Sequence, residues 1–195
     1  MSDNPNTPHT AAENDMQQGM PHLAGKYMTF KLSNEEYGLE ILRVREIIGL
    51  MNITSVPKTA DFIRGIINLR GKVEPVVDLR MKFGMDRTEP TDQTVIIVVQ
   101  YPHRGREISM GILVDEVLEV LNVDAKNIEP PPNFGSGNVD ADFILGVGKY
   151  AKRVIFLLDI GKILSAEDSD ILERVSAVPP SQTAMQPETE KEHQL

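Results

Sequence analysis

The chain has 195 residues, a formal net charge of −9 and no cysteine, which excludes disulfides, zinc–thiolate sites and a thiol nucleophile. The acidity lies in the flanks, because residues 26–165 hold 18 Lys and Arg against 19 Asp and Glu. A nearly neutral core in a chain with 5% aromatic residues gives no footprint for nucleic acid or anionic lipid.

The two ends of the chain are polar and rich in proline. Residues 1–25 and 176–195 hold too little apolar surface to offset the entropy of ordering. Both are therefore predicted to be disordered, the second as an acidic tail. The sequence has neither the apolar run of a signal peptide nor that of a membrane span, so it predicts a cytoplasmic protein without direct membrane insertion.

Strand patterns dominate the segment between the tails. Short runs rich in Val and Ile alternate with turn residues, which favours strands over helices. Four hairpins are predicted, with turns at residues 33–34, 70–72, 102–105 and 151–152. One amphipathic helical turn is predicted within residues 41–48, with an apolar face formed by Val44, Ile47 and Ile48. Many short strands at this spacing indicate a sandwich or a barrel.

The second half of the core repeats the first. "ADFIRG" at residues 60–65 returns as "ADFILG" at residues 141–146, and this offset of 81 holds through the hairpin that follows. Upstream, residues 37–48 match residues 110–121 at an offset of 73. Such collinear similarity indicates an internal duplication, with a first and a second copy. Each copy is small for a stable core, so the two are expected to pack as one body.

Short helices are predicted after the strands of each copy. Asp78 and Asp159 each follow a strand and precede a helical stretch, where a carboxylate can accept the free N–H groups of the first turn. Ser165 and Asp168 have the spacing of a capping box at the start of the last apolar pattern. Residues 166–175 are therefore predicted to form a C-terminal helix.

The core offers little catalytic chemistry. His103 lies in a hairpin turn and is interpreted as a solvated residue, without the partner that a general base needs. Asp78 and Asp159 could be paired catalytic carboxylates, but helix capping accounts for both. "GVGK" at 146–149 lacks the span of a phosphate loop, and "DAD" at 140–142 lacks the other ligands of a calcium site. No catalytic residue, metal or cofactor is predicted, which favours binding over catalysis.

Several stretches together resemble the CheW family of bacterial chemotaxis coupling proteins. They are "ILRVREIIGL", "ADFIRGIINLRGKVEPVVDLRMKFG", "GILVDEVLEVL" and "FILGVGKYAKRVIFLLDIGKIL". The resemblance covers about residues 26–165 and implies an all-β fold with a few short helices. It implies two intertwined five-stranded β-barrels, approximately residues 26–88 and 92–165 with strand exchange, that arise from the duplication.

The same resemblance implies a non-enzymatic adaptor. Proteins of this family join the cytoplasmic tips of chemoreceptors to the regulatory domain of the histidine kinase CheA, a domain that is itself CheW-like. The receptor tip helix docks in an apolar groove between the barrels, and the kinase domain uses faces at the barrel ends. Head-to-tail contacts between homologous domains allow rings. We therefore expect a cytoplasmic protein that joins membrane receptor arrays through its partners.

Matching the family position by position gives a candidate receptor site. The matching positions are Arg70, Glu46, Val44, Val117 and Val120. Gly65 and Gly71 match family glycines whose replacement perturbs coupling. The guanidinium of Arg70 suits carboxylates on a partner helix, and the residue at the equivalent position of the second copy is Ala151. From the residues alone, a solvated turn arginine and core valines are the alternatives, and Glu119, which repeats Glu46, suggests that this glutamate serves the fold.

Other functions stay open at this point. A CheW-like adaptor could serve a chemosensory pathway with surface motility or another output, and the sequence does not separate this from flagellar chemotaxis. A small-barrel nucleic-acid binder would need a basic face with exposed aromatic residues, which the neutral core does not predict. An enzyme ranks third because no nucleophile, base and orienting group can be assembled.

Overall fold

The structure, a computed structural model, describes residues 19–131 and 142–176. The strands in these residues are β1 (Gly25–Leu32), β2 (Glu35–Glu40), β3 (Val44–Gly49), β4 (Ile63–Leu69), β5 (Lys72–Asp78), β6 (Val95–His103), β7 (Arg106–Val114), β8 (Glu116–Val123), β9 (Ile128–Glu129), β10 (Ile144–Tyr150) and β11 (Arg153–Leu158). The α-helices are α1 (Leu79–Lys82), α2 (Ile160–Ile163) and α3 (Ala166–Ser176). None of these helices is long and apolar enough to cross a membrane. The predicted disorder of residues 1–18 and 177–195 lies outside the described residues.

The strands form two curled sheets. The first sheet has the order β8-β1-β2-β11-β10-β9, and the second has the order β3-β6-β7-β5-β4. Each sheet therefore combines strands from both halves of the chain. The predicted all-β fold with a few short helices is confirmed, and the two-residue strand β9 makes the first sheet six-stranded rather than five-stranded. The subdivision at residues 26–88 and 92–165 stays a prediction.

The predicted hairpins form, and the predicted helical turn is limited to Ile41–Arg43. β1–β2, β4–β5, β6–β7 and β10–β11 are antiparallel neighbours. The prediction of one apolar face for Val44, Ile47 and Ile48 is wrong. Only a 3-10 turn at Ile41–Arg43 forms, and β3 then pairs with β6, so side chains alternate and Ile47 is 43% exposed.

The duplication is visible in the structure. At the offset of 81, β4 falls on β10 and α1 falls on α2, residue for residue. The β4–β5 pairing shifts register between Ile63 and Gly65, and the β10–β11 pairing shifts between Ile144 and Gly146. The repeated "ADFIRG" and "ADFILG" thus lead into the same bulged strand start in the two sheets.

The described residues form three apolar clusters. One cluster lies in the first sheet around Ile155 and Leu157, and another lies in the second sheet around Ile67 and Ile96. The largest joins the two sheets, with Phe30 of the first sheet and other fully buried side chains of both. The sheets share this large core, which agrees with the expectation that two small copies pack as one body.

Asp78 and Asp159 cap helices, as predicted. The Asp78 carboxylate accepts hydrogen bonds from the N–H groups of Arg80 and Met81, at 3.0 and 3.3 Å. The Asp159 carboxylate accepts one from Gly161 at 3.0 Å. Since both carboxylates satisfy free N–H groups at a helix start, capping accounts for their position after a strand.

The N-terminal tail ends earlier than predicted. The sequence predicts disorder for residues 19–25, but Pro21–Leu23 forms a 3-10 turn and Leu23 is only 8% exposed. The Tyr27 hydroxyl donates a 2.7 Å hydrogen bond to the Leu23 carbonyl, and the Met20 N–H donates to the Ala125 carbonyl at 3.2 Å. The segment is ordered because Leu23 packs on the apolar cluster of the first sheet.

Helix α3 begins with a capping box and packs on the core. The Asp168 N–H donates to the Ser165 hydroxyl at 3.0 Å, and the Ser165 N–H donates to the Asp168 carboxylate at 3.1 Å. Leu172 is fully buried in the cluster between the sheets. Lys82 also donates to Asp168 at 2.9 Å, which ties the helix to α1.

Replacing Asp168 should remove an acid-sensitive anchor of α3. Burial raises the pKa of the Asp168 carboxyl, but hydrogen bonds from Lys82 and Ser165 outweigh burial and lower that pKa below its ordinary value. The carboxylate therefore stabilises the fold above about pH 4 and loses this effect as the pH falls through its folded-state pKa. We expect Asp168→Asn to cost about 1 kcal/mol at neutral pH, because it weakens the hydrogen bond from Lys82, and to flatten the acid side of the stability profile. Melting across pH 2–7 measures this (roughly the range in which carboxyls titrate). The exposed first-turn variant Glu167→Gln is the control, and an unchanged profile for Asp168→Asn would contradict the assignment.

Candidate functional site

Arg70 and Glu46 meet at one end of the second sheet. The guanidinium donates from Nη1 to Glu46 Oε1 at 3.2 Å and from Nη2 to Oε2 at 2.7 Å. These two bonds form the forked arrangement that arginine makes with carboxylates. The Arg70 side chain is 76% exposed and that of Glu46 28% exposed. The solvent-exposed guanidinium of Arg70 is therefore already held in the forked geometry in which arginine binds a carboxylate.

The β4–β5 turn explains the position of Arg70. Arg70 has φ 52° and Gly71 has φ 85°, and two successive positive φ values are the mark of a tight hairpin turn of type I′. The Gly71 N–H donates to the Asn68 side chain at 2.8 Å, which closes the turn. Gly71 is required here by its backbone conformation, and open space surrounds the position where a Cβ would stand.

Gly65 allows the second sheet to close. The segment after β3 reaches β4, where Thr54 and Ile66 exchange two backbone hydrogen bonds of 2.8 Å. Gly65 has φ 136°, and a Cβ on it would lie 2.1 Å from the Thr54 carbonyl oxygen. A side chain at this position would therefore push apart the two edges that Arg70 and Glu46 also bridge.

A polar recess lies beside the Arg70–Glu46 pair. It has a volume of about 240 Å³ and its charged lining consists of Arg45, Glu46, Arg70, Lys72 and Glu74. Glu74 is only 9% exposed. The lining carries three cationic and two anionic groups, so this end of the second sheet suits polar contacts rather than an apolar helix.

The three candidate valines occupy two different environments. Val44 on β3 and Val117 on β8 occupy matching positions of the repeat, and both pack, partly buried, against the cluster between the sheets. Val120 is 49% exposed. The interpretation of Val120 as a core residue is therefore wrong, because it lies on the side of β8 opposite to the buried Leu121. The structure joins Arg70 directly to Glu46 and places Val117 and Val120 on the other sheet.

The first sheet contains a matching pair that the sequence does not predict. The Arg153 guanidinium donates to Glu119 at 2.6 Å and holds Glu36 with Nε and Nη2 at 2.7–3.0 Å. The carboxylates of Glu36 and Glu119 raise the pKa of Arg153, so its charge is fixed. Glu119 repeats Glu46, but its arginine comes from position 153 instead of the matching position 151. The repeated glutamate was the only signal in the sequence for this pair.

The interpretation of His103 as a solvated turn residue is wrong. Its side chain is 15% exposed, and its Nε2 lies 3.2 Å from Asp170 of α3. Arg104 contacts the same carboxylate at 3.1 Å. The histidine thus helps to dock the C-terminal helix. Among residues 19–131 and 142–176, no three His, Asp or Glu residues could hold a metal ion, and most of "DAD" at 140–142 lies outside them.

A comparison with protein families decides which proteins share this arrangement. The model described as the CheW-like domain matches residues 26–168, which is most of the chain. The chain belongs to the CheW family. The match ends within α3, so the contacts of Asp170 and Leu172 lie beyond the family's matched segment.

Named relatives agree with this assignment. The chemotaxis protein CheW of Klebsiella aerogenes is 38% identical over 151 residues, which cover 77% of this chain and 88% of that protein. The chemotaxis protein CheW of Bacillus subtilis is 34% identical over 154 residues, covering 79% and 92%. The crystal structure of the scaffolding protein TtCheW from Thermoanaerobacter tengcongensis matches with a TM-score of 0.65 at 35% identity, covering 75% of this chain and 96% of that one. The predicted CheW family and fold are confirmed, and with them the prediction of a chemotaxis protein that is not an enzyme.

Proposed function

We propose that this chain couples the cytoplasmic tips of chemoreceptors to a CheA-type histidine kinase. The observation that carries the proposal is the CheW-like match over residues 26–168, which includes all five candidate receptor positions. The names of the relatives add chemotaxis and scaffolding as the setting. On this proposal the protein is cytoplasmic and reaches the membrane array through its partners.

The receptor tip is proposed to bind as a helix against Val44, Val117 and Val120, with Arg70 at the edge. A helix that lays its apolar side on a groove matches the partly buried and exposed valines. Arg70 then exchanges Glu46 for a receptor carboxylate. An exposed ion pair contributes only about 0–1 kcal/mol, so this exchange costs little.

The kinase regulatory domain is proposed to bind at separate faces. The second sheet exposes large apolar side chains on and beside its edge strand β3, namely Leu42, Ile47, Leu50 and Met51. Exposed apolar groups gathered in this way are typical of protein–protein contacts. Because the two sheets are related but not identical, head-to-tail contacts with a homologous kinase domain could repeat and close into rings. Signalling would then be a coupling free energy between these interfaces.

Reconstitution tests the proposal directly. Receptor-containing membranes, a CheA-type kinase and the full chain are mixed, and co-sedimentation and kinase activity are measured with and without the chain. We expect the chain to bring the kinase to the receptor membranes and to make its activity depend on the receptor. Lys149→Ala, which removes an exposed ion pair with Glu129 in the first sheet, serves as a control and should behave as wild type.

The coupling assignment is wrong if the purified chain neither binds the kinase nor changes its activity with any receptor of the same cell. Receptors of a pathway with another output would give the same physical result. Testing receptors one at a time therefore identifies the pathway that the chain serves.

A further inference from the structure

Strand β8 carries two of the candidate receptor residues and contains a bulge between them. The β1–β8 pairing moves from Met28 opposite Val120 to Phe30 opposite Val117, so Leu118 and Glu119 together face Thr29. A bulge leaves backbone groups out of the ladder and redirects the side chains around it. The positions of Val117 and Val120 therefore depend on what holds this bulge.

Thr29 holds the backbone of the bulge. Its hydroxyl donates to the Glu119 carbonyl at 2.8 Å and accepts from the Glu119 N–H at 3.3 Å. Thr29 is fully buried, so water does not replace these bonds when the hydroxyl is removed. One side chain thus satisfies both backbone groups of the displaced residue.

Arg153 holds the side chain of the same residue. It bridges Glu119 on β8 and Glu36 on β2, and it lies on β11, so one guanidinium links three strands of the first sheet. Glu36 is 17% exposed and Arg153 30%, which places the bridge partly inside the protein. Removing Arg153 would leave two carboxylates without their shared cation.

The second sheet lacks both of these groups at the matching positions. In the first sheet Thr29 of β1 pairs with Gly38 of β2, and at the matching place in the second sheet Val98 of β6 pairs with Gly111 of β7. The second sheet therefore has a valine, without a hydroxyl, at the position that matches Thr29. Lys72 matches Arg153 at the offset of 81. The β3–β6 pairing also shifts register, between Val44 and Glu46, but there Glu46 is held by Arg70. The two copies therefore differ in the residues that fix the bulge of β8.

We infer that Thr29 and Arg153 are positioning residues for the receptor groove, which fix the bulge of β8 and so set Val117 and Val120. This inference rests on the proposed function, because it gives β8 a role in receptor binding. Neither residue needs to contact the receptor. Their effect passes through Glu119, which is adjacent to Val120 in the chain.

The test uses Thr29→Val and Arg153→Ala in the full chain. Valine keeps the shape of threonine and removes the hydroxyl, and Thr29→Ser keeps the hydroxyl as the conservative variant. Binding is measured to a soluble receptor-tip fragment and, separately, to the kinase regulatory domain. We expect ~10-fold weaker receptor binding for Thr29→Val and Arg153→Ala, with kinase-domain binding within about twofold of wild type and recovery in Thr29→Ser. Lys149→Ala is the matched ion-pair control on the same sheet.

Amide hydrogen exchange of the free protein provides a readout without any partner. We expect Thr29→Val to speed exchange ~10-fold at residues 116–120 while β10 and β11 keep wild-type rates. Unchanged exchange there, or equal losses of receptor and kinase binding, would overturn the positioning role. Absence of receptor binding by the wild-type chain would instead remove the proposed function, and with it the receptor role of β8.

Discussion

Gly65→Ala is expected to destabilise the domain by roughly 3 kcal/mol or more. The new Cβ would lie 2.1 Å from the Thr54 carbonyl oxygen, which is backbone and cannot rotate away. The φ of 136° adds strain, because residues with side chains avoid this region. For a domain of this size the loss corresponds to a drop in the melting temperature on the order of 10 °C. Thermal and denaturant unfolding measure both quantities.

Two other glycines of the same sheet separate the causes. Gly49→Ala has open space and an ordinary backbone, so we expect no loss of stability. Gly71→Ala has open space but φ 85°, so it should cost about 1 kcal/mol from backbone strain alone. If Gly65→Ala melts like Gly49→Ala, the close approach of Thr54 is not what requires glycine at this position.

The structure gives separate physical reasons for glycine at positions 65 and 71, which the resemblance to the CheW family predicts to be sensitive positions for coupling. Gly65 lies in β4 next to Ile66, whose bridge to Thr54 closes the curl of the second sheet. The same strand leads into the hairpin turn that carries Arg70. Opening this edge would move Arg70 away from Glu46. We therefore expect loss of coupling in Gly65 variants to follow loss of stability, and loss of coupling in Gly71 variants to exceed their small loss of stability.

Local features of the structure are the ones that the sequence predicts. The hairpins depend on neighbouring residues and turn chemistry, and the caps at Asp78 and Asp159 depend on a carboxylate two or three residues before an N–H group. The duplication adds the pairing of equivalent strands. These signals need no knowledge of how the sheets curl.

Contacts that depend on the curl were not predictable. Arg153 lies 34 residues from Glu119, Thr29 lies 90 residues from it, and His103 lies 67 residues from Asp170. No local sequence pattern around these residues identifies the residue that each one contacts. Leu23 is similar, since a single apolar residue in a polar segment acquires a place to pack only when the first sheet has formed. One long-range contact, between Arg70 and Glu46, joins two residues that the resemblance to the CheW family had already named.

Arg70→Ala is expected to lower receptor-dependent kinase activation ~10-fold or more without unfolding the protein. The Arg70 side chain is 76% exposed and its pair with Glu46 is a surface pair, so the melting temperature should fall by no more than about 2–4 °C. Arg70→Lys keeps the charge but cannot form the fork, and it should recover only part of the activity. Activation is measured with receptor membranes and kinase, as for the wild type.

The exchanged pair Arg70→Glu with Glu46→Arg separates two roles of Arg70. If Arg70 serves only to hold the two edges of the second sheet together through its ion pair with Glu46, the exchanged pair restores that ion pair, and coupling returns with it. If Arg70 binds a receptor carboxylate, the exchange leaves a carboxylate at the exposed turn, and coupling stays lost although the melting temperature recovers. We expect the second result, because Glu46 is 28% exposed while Arg70 is 76% exposed, so the receptor meets position 70 first. Recovery of both stability and coupling would assign Arg70 to the fold. Arg70 and Glu46 would then be a structural pair, comparable to Arg153 and Glu119 in the first sheet.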